Sequence, residues 1–347
     1  MEQLIPGLPN DVARDCLFRV PYNYLSDAAY VCKVWNQEIE HPDFLRLRKA
    51  TGRSQAIVVM AQARVNPNPG RPTMPEFKLS VFEPKTSSWE ELPLFPGFCK
   101  GLLPRFCQVV GVGSDLVVMG GLDPCTWEVS NSVFIFNFVS ATWRSGADMP
   151  GVKRSFFGCA SGDDNRTVFV VGGHDNKKNA LRSAMAYDVA KNKWNVMADM
   201  EKEHDECKAI FYRGKLHVIG GYQTERQGQF ERSAETFDPV TSKWDKVKED
   251  FLPANVSPKS CVAGHDGKLY MSSESHVVVC DGATWQAVSE VPADVGSATT
   301  WQDKLLVTGS GELQTAYILD LYSYSWTKLE MPEEYRGHVY SSCNLDI

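Results

Sequence analysis

Short runs of β-branched and other apolar residues recur through residues 54 to 346, and turn-forming residues separate them. Three of the runs end in two glycines: LVVMGG up to Gly121, VFVVGG up to Gly173 and LHVIGG up to Gly221. Paired glycines indicate a backbone that takes positive φ or passes close to a neighbour. The pattern therefore predicts repeated units of four short strands, the second of which ends at Gly-Gly.

Tryptophans repeat in register with these runs at intervals of about 40 to 55 residues, which is typical of propeller blades. They are Trp89, Trp143, Trp194, Trp244, Trp285 and Trp326. An apolar residue lies seven positions before five of them, at Phe82, Phe136, Tyr187, Phe237 and Leu319. In the fifth unit, Cys280 lies five positions before Trp285. We expect the apolar residue on the third strand of each unit and the Trp on the fourth, with a hairpin between them.

The two ends of the repeat region complement each other. The first unit begins at QAIVVMAQ, which has the character of a second strand, so this unit lacks a first strand. After the sixth Trp, residues 337–345 form one further strand of the first type. Pairing this strand with the first unit would close a six-bladed ring over residues 54–347 and remove its exposed edges.

Composition narrows the class of protein. The formal net charge is −7, which argues against a nucleic-acid-binding role, and no uninterrupted apolar run reaches the length of a membrane span. The ten cysteines occur without a secretory signal, so we expect reduced thiols and a cytoplasmic or nuclear location. Five of them, Cys107, Cys159, Cys207, Cys261 and Cys343, fall on the first strands of the units. No C-x-x-C pair occurs, so we expect these thiols to pack in the ring and predict no metal or other cofactor.

Residues 1–50 have a helical pattern instead. Leu8-Pro9 precedes a first predicted helix, residues 26–39 carry apolar positions at helical spacing, and Phe44 lies in a short third helix. Three helices in about 45 residues make too small a core to be stable alone. Their apolar surface must therefore be covered by the propeller, as a cap, or by a separate protein.

These patterns resemble two known motifs. The six units over residues 54–346 resemble kelch repeats, and units two to four match best. Leu8-Pro9, Val12, Cys16-Leu17, Leu25 and Val31-Cys32-x-x-Trp35 resemble the F-box. The combination is similar to a plant family of F-box/kelch-repeat proteins, substrate receptors of cullin-RING ubiquitin ligases. The resemblance implies that a small adaptor subunit binds residues 1–50, through Leu8, Pro9, Val12, Leu17, Val31 and Trp35, and that the propeller binds the protein to be ubiquitinated.

Two segments resemble one subgroup of that family more closely. They are LIPGLPNDVARDCL at residues 4–17 and HPDFLRLRKATGRSQ at residues 41–55. Members of the subgroup target phenylalanine ammonia-lyase or the type-B response regulators of cytokinin signalling. The resemblance therefore implies one of these proteins as the substrate, and hence a role in phenylpropanoid control or cytokinin signalling.

Strand direction predicts which loops share a face of the propeller. Loops between the second and third strands, and loops between blades, emerge at the same end. The basic and polar residues predicted at this end are Arg105, Arg154, His174, Tyr222, Lys259, Ser273 and Arg336. Arginine is well suited to carboxylate recognition, so we hypothesise that an acidic or polar protein segment binds at this end, at the mouth of the central channel.

Two other classes of function are alternatives to a substrate receptor. Kelch-type rings also include metal-dependent enzymes, and one iron-binding pattern has Glu, then Asp four residues on, then His four further. Glu201 and Asp205 fit that pattern, but Ala209 replaces the third ligand, so we expect no enzyme. The third class is a kelch scaffold without a role in degradation, whose N-terminal helices bind a partner other than the ligase adaptor.

Overall fold

The computed structural model describes residues 3–64, 75–97, 101–282, 284–309 and 315–347. Within these ranges the chain forms four α-helices followed by six four-stranded antiparallel sheets. This is the predicted all-β six-bladed propeller with a small N-terminal helical module. Among the described residues, no helix is both long and apolar enough to cross a membrane.

The helical module has one more helix than the three predicted. The helices are α1 (Asn10–Phe18), α2 (Leu25–Val31), α3 (Lys33–Ile39) and α4 (Asp43–Ala50). The single helix predicted over residues 26–39 is wrong, because Cys32 has an extended backbone with φ −160° and ψ 165°. Val31, Cys32 and Val34 are weak helix formers, and the interruption falls among them. Pro9 precedes α1 as predicted, and its carbonyl accepts from Ala13 N at 2.9 Å.

Each blade is one sheet, described here from the innermost strand outwards. Blade 1 consists of β24 (Gly337–Asp346), β1 (Ala56–Arg64), β2 (Glu76–Glu83) and β3 (Ser88–Glu91). Blades 2 and 3 are β4 (Gln108–Val112), β5 (Asp115–Met119), β6 (Val133–Asn137) and β7 (Thr142–Ser145), then β8 (Gly158–Ser161), β9 (Thr167–Val171), β10 (Ala184–Asp188) and β11 (Lys193–Val196).

Blades 4 to 6 repeat this arrangement. Their strands are β12 (Lys208–Tyr212), β13 (Lys215–Ile219), β14 (Ala234–Asp238), β15 (Lys243–Trp244), β16 (Val262–Ala263), β17 (Leu269–Ser273), β18 (His276–Cys280), β19 (Trp285–Glu290), β20 (Val295–Trp301), β21 (Lys304–Gly309), β22 (Ala316–Asp320) and β23 (Trp326–Leu329). In the described part of this region, 3₁₀ turns lie at Thr224–Arg226, at Pro258–Ser260 and, after blade 6, at Glu333–Tyr335.

Strand pairing explains the fixed spacing between the apolar residues and the tryptophans. In blade 3, Tyr187 pairs directly with Trp194 across the hairpin, and their ring centroids lie 4.8 Å apart. Cys280 likewise pairs with Trp285, so the shorter spacing in the fifth unit reflects a shorter hairpin. The indole N–H of Trp194 also donates to the carbonyl of Ala147 in the preceding blade at 2.8 Å. The Trp therefore holds its own hairpin and links it to the neighbouring blade.

The Gly-Gly pairs lie where the second strand ends, as predicted. Gly220 and Gly221 have φ of 60° and 87°, a region that side chains rarely adopt. A Cβ on Gly221 would also lie 2.6 Å from the carbonyl oxygen of Asp205. At Gly221, both the positive φ and the close approach of a neighbouring backbone therefore require glycine.

The C-terminal strand closes the ring. β24 pairs antiparallel with β1, for example Val58 with Asn344, and becomes the innermost strand of blade 1. This is the closure that the sequence predicts from one missing and one additional strand. The core beneath blades 1 and 2 continues into the helical module, because Leu17, Phe44, Ile57 and Leu116 belong to one buried cluster.

Candidate functional site

The helical module is attached to one end of the propeller. We call this end the lower face; it carries the hairpin turns between the two outer strands of each blade. Tyr22 donates its hydroxyl to Glu90 of β3 at 3.2 Å, and its ring contacts Phe138, which follows β6, at a centroid distance of 5.9 Å. The predicted substrate loops lie at the opposite end, the upper face. The two candidate protein-binding surfaces are therefore separated by the height of the ring.

A buried arginine and a glutamine fix this attachment. Arg48 of α4 is 1% exposed and donates to the carbonyl of Val20 at 2.6 Å and to Gln55 Oε1 at 2.9 Å. Gln55 Oε1 also accepts from the Tyr22 backbone N–H at 2.8 Å, and Gln55 Nε2 donates to Glu83 at 2.6 Å. Burial lowers the pKa of Arg48 to about 10, so these hydrogen bonds stabilise a charge that is largely removed from water.

The side of the helical module that the propeller leaves uncovered is rich in apolar residues. Val12 is 45% exposed, Tyr30 82% and Val31 63%, and Pro9 is exposed as well. Leu8 and Trp35 are half-buried against the module core, and the Trp35 indole donates to the carbonyl of Leu4 at 2.6 Å. Five of the predicted adaptor-binding residues therefore expose at least part of their side chains: Leu8, Pro9, Val12, Val31 and Trp35. Tyr30 is a further exposed residue that the F-box pattern did not single out.

Leu17 is a correction to that predicted set. It is 1% exposed and lies in the core of the module, among residues that include Phe18 and Phe44. The rings of Phe18 and Phe44 pack at a centroid distance of 5.2 Å. Leu17 therefore supports the fold of the module and offers no surface to a partner.

On the upper face, two predicted substrate-binding residues prove to be structural. Arg154 is 2% exposed and donates to the carbonyls of Gly172 and Ser183, so it satisfies backbone groups next to a Gly-Gly pair. His174 is 4% exposed; its Nδ1 lies 2.7 Å from Asp205 Oδ2 and its Nε2 lies 3.0 Å from Lys178 Nζ. Since a lysine can only donate, Nε2 accepts and the Nδ1–H donates to Asp205. Arg154 therefore offers almost no surface to a partner, and His174, although it lines a groove of this face, has both ring nitrogens engaged within the chain.

The other predicted residues remain at the upper face, but it is less basic than expected. Glu206 accepts from the Tyr222 hydroxyl at 3.1 Å and forms an ion pair with Lys259 at 3.3 Å. Arg336 is exposed and lies 3.9 Å from Glu333. Ser273 is half-buried at the end of β17. Carboxylates of the same chain therefore offset part of the positive charge.

A groove between blades 2 and 3 is the clearest recognition feature of this face. Arg105 is mostly buried, and its guanidinium stacks on the ring of Trp127 at 3.7 Å. Trp127 is 51% exposed and has φ of 62°, an uncommon conformation for a bulky residue. The groove has a volume of about 520 Å³, and Trp127, Lys153 and Phe156 line it; Arg105 lies behind Trp127 and supports its ring.

Sequence reasoning missed Trp127, although a signal was available. Three tryptophans, Trp35, Trp127 and Trp301, fall outside the register of the six repeated ones. Trp301 is buried and Trp35 belongs to the helical module, which leaves Trp127 as a large exposed aromatic in a loop. Exposed Trp and Arg are the residue types most enriched in the energetic centres of protein interfaces.

Five of the cysteines lie close to the centre of the ring. Cys107, Cys159, Cys207, Cys261 and Cys343 are free thiols at or beside the innermost strands. Cys125 takes part in a disulfide bond, so the expectation of reduced thiols is wrong at that residue. Across the described ranges, no group of three or more His, Cys, Asp or Glu side chains could hold a metal ion.

Comparison with known proteins agrees with these two structural parts. The family model for the Kelch motif matches residues 104–150 and 154–201. F-box/kelch-repeat protein At1g80440 of Arabidopsis thaliana is 48% identical over 99% of this chain and 100% of its own length. F-box/kelch-repeat protein At1g15670 of the same plant is 47% identical, with the same coverage. A solved structure titled "Structure of YjhT" superimposes with a TM-score of 0.60 at 12% identity, over 73% of this chain and 91% of that one, which supports the fold alone.

Proposed function

Because the chain belongs to the F-box/kelch-repeat proteins, we propose that it is the substrate-recognition subunit of an SCF-type ubiquitin ligase. In this proposal the helical module binds the adaptor subunit, and the upper face of the propeller binds the protein to be ubiquitinated. The chain itself performs no catalysis, needs no cofactor and acts in the cytoplasm or the nucleus.

The exposed apolar surface of the helical module is the observation that carries this proposal. Tyr30 and Val31 are among the most exposed large apolar residues of the described chain. Their exposure is unfavourable in water, and burying a Val side chain in an interface contributes about 1.5 to 3 kcal/mol. A protein partner at this surface explains why the module keeps these side chains outside.

The experiment for adaptor binding is a substitution with a matched control. Val31→Asp should weaken capture of the adaptor by about tenfold or more, because a charge would be buried in the interface. Val240, which is 92% exposed in a hairpin turn of blade 4, provides the control: Val240→Asp should leave capture unchanged. Equal capture by the two variants, measured with purified adaptor, would contradict the proposed role of the module.

For the substrate we propose phenylalanine ammonia-lyase or a type-B response regulator, as the resemblance of the N-terminal segments implies. Full-length Val31→Asp protein is a suitable trap, because it should still bind the substrate without passing it to the ligase. One of the two candidates should accumulate on this variant. Trp127→Ala in the same background should reduce the captured amount, since it removes an exposed aromatic from the groove.

These experiments also separate the proposal from the scaffold alternative. A scaffold without a role in degradation would bind its partner through the propeller but would not retain the ligase adaptor. If the unmodified chain fails to bind the adaptor while it still captures a partner through the Trp127 groove, the scaffold function is the correct one.

A further inference from the structure

A channel passes through the centre of the ring between the innermost strands β4, β8, β12, β16, β20 and β24. It contains two cavities of about 190 Å³ each, one near the upper face and one near the lower face. Cys159, Lys208 and Ser342 line both cavities and therefore mark the level at which they meet. A volume of this size would hold about six waters or a small organic molecule.

Lys208 carries a charge that pairs with no described residue of the channel. Its amine makes no ion pair and no hydrogen bond with any residue in the described part of the chain. The other lysine at the upper mouth, Lys259, is already paired with Glu206. His338 also lines this mouth, and burial lowers its pKa, so its ring is neutral at pH 7.

Glu206 also lines the upper cavity, but its carboxylate is paired with Lys259; the remaining ionisable groups that line the channel are neutral. Burial raises the pKa of the thiols of Cys159, Cys207 and Cys261 to about 12 each. Burial also raises the pKa of Cys343 and of the Tyr340 hydroxyl. None of these groups supplies a negative charge near Lys208 at neutral pH.

Partial removal of the Lys208 ammonium from water without a negatively charged partner costs free energy, and an anion bound beside it would reduce that cost. Lys208 is half-buried in the channel wall, and this burial lowers the pKa of its ammonium, as expected for a charge that is partly removed from water. A single lysine balances one negative charge, which favours a carboxylate over a doubly charged phosphate. Three hydroxyl groups cluster in the channel wall: Ser342 Oγ lies 3.1 Å from Ser297 Oγ and contacts Thr299 Oγ1.

We propose that the central channel binds a carboxylate, held by the Lys208 ammonium and the hydroxyls around Ser342. The upper mouth of the channel is aromatic: the ring of Phe106 lies 5.6 Å from that of Phe156 and 5.7 Å from that of Tyr340. The site therefore suits a ligand with one carboxylate and a compact apolar body. The carboxylate belongs either to a free small acid or to an acidic side chain of a bound protein. The site is independent of the adaptor surface, so its failure would leave the proposed function intact.

Calorimetric titration of the full-length chain with benzoate and acetate tests the site. Benzoate should bind the unmodified chain, and Lys208→Met should weaken binding about tenfold or more, because a charge-assisted hydrogen bond is lost. Lys208→Arg should restore binding, since it keeps the charge. The matched control is Lys215→Met on the next strand of the same blade, where the lysine already pairs with Asp245 at 2.9 Å, and it should change nothing.

A second measurement needs no variant. Acetylation of Lys208 by N-hydroxysuccinimidyl acetate, followed by peptide mass spectrometry, should slow about threefold at a benzoate concentration of about twice Kd, while acetylation of Lys215 should not change. The peptide acetyl-Gly-Glu-Gly-amide, with its Gln isostere as control, distinguishes the source of the carboxylate. Protection by the free acids alone indicates a small ligand, and protection by the Glu peptide alone indicates a protein side chain. If no carboxylate protects Lys208, or if the Met variant binds as tightly as the unmodified chain, the proposal is overturned.

Discussion

Gln55→Leu tests how the helical module is attached to the propeller. Leucine has a similar size but accepts and donates no hydrogen bond. The substitution would remove the acceptor for Arg48 Nη2 at 2.9 Å and for the Tyr22 backbone N–H at 2.8 Å, and it would remove the donor to Glu83 at 2.6 Å. Because Arg48 is 1% exposed, water cannot readily replace the lost acceptor.

The magnitude follows from the groups left unpaired. An unsatisfied buried polar group costs about 1 to 3 kcal/mol, and such costs are not additive among neighbours. Gln55 itself is half-buried, so part of each cost will be relieved by water. We expect a loss of about 3 kcal/mol in the free energy of unfolding, with faster hydrogen exchange in α4 and in the turn after it.

Urea unfolding followed by tryptophan fluorescence gives the free energy, and exchange mass spectrometry gives the location. Gln286 is exposed on the outer strand β19, so Gln286→Leu is the matched control and should stay within about 0.5 kcal/mol of the unmodified chain. If Gln55→Leu is as stable as this control, and α4 exchanges at the unmodified rate, the hydrogen bonds of Gln55 do not hold the module in place.

Two further predictions concern the propeller alone. Trp194→Phe keeps an aromatic ring against Tyr187 but loses the hydrogen bond to Ala147. The denaturation midpoint should therefore fall by an amount equivalent to about 1 to 2 kcal/mol. An unchanged midpoint would contradict the inter-blade role of the indole. Burial lowers the pKa of His217 to about 4, below its unfolded value of about 6.5. Between these two pH values the unfolded chain binds more protons than the folded chain. The free energy of unfolding should therefore fall by at most about 3 kcal/mol as the pH drops from 6.5 to 4. His217→Gln should flatten that part of the stability profile, as followed by thermal unfolding.

The blades could be predicted because their determinants are local. Tyr187 and Trp194 face each other across one hairpin, so strand pairing converts their relation into a constant spacing in sequence. The Gly-Gly pairs follow from the backbone conformation at the end of each second strand. The closure by β24 follows from a count of strands. For the same reason, one blade with a shorter hairpin, at Cys280 and Trp285, does not disturb the pattern.

The recognition surface was harder to predict because its chemistry depends on distant partners. A loop arginine such as Arg154 looks available in sequence, but it donates to carbonyls 18 and 29 residues away. His174 likewise meets Asp205, 31 residues further along the chain. Lys208 shows the opposite case. Its position on a first strand suggests a packed interior, and only the assembled ring reveals that its amine lines a channel and pairs with no residue in the described part of the chain. Charge in a loop therefore predicts recognition poorly until its internal partners are known.

The closure of the ring and the attachment of the helical module meet at the same place. The backbone of Gln55 exchanges two hydrogen bonds with the last residue, Ile347, at 2.7 and 3.0 Å, and Lys49 of α4 forms an ion pair with Asp346 at 3.0 Å. The side chain of Gln55 meanwhile binds Arg48 of the module. The module therefore cannot turn relative to blade 1 without breaking contacts of the strand that closes the ring. In the proposed receptor this keeps the adaptor surface and the upper face in a fixed relation, so that loops such as the one carrying Trp127 can determine the choice of substrate without altering where the ligase is held.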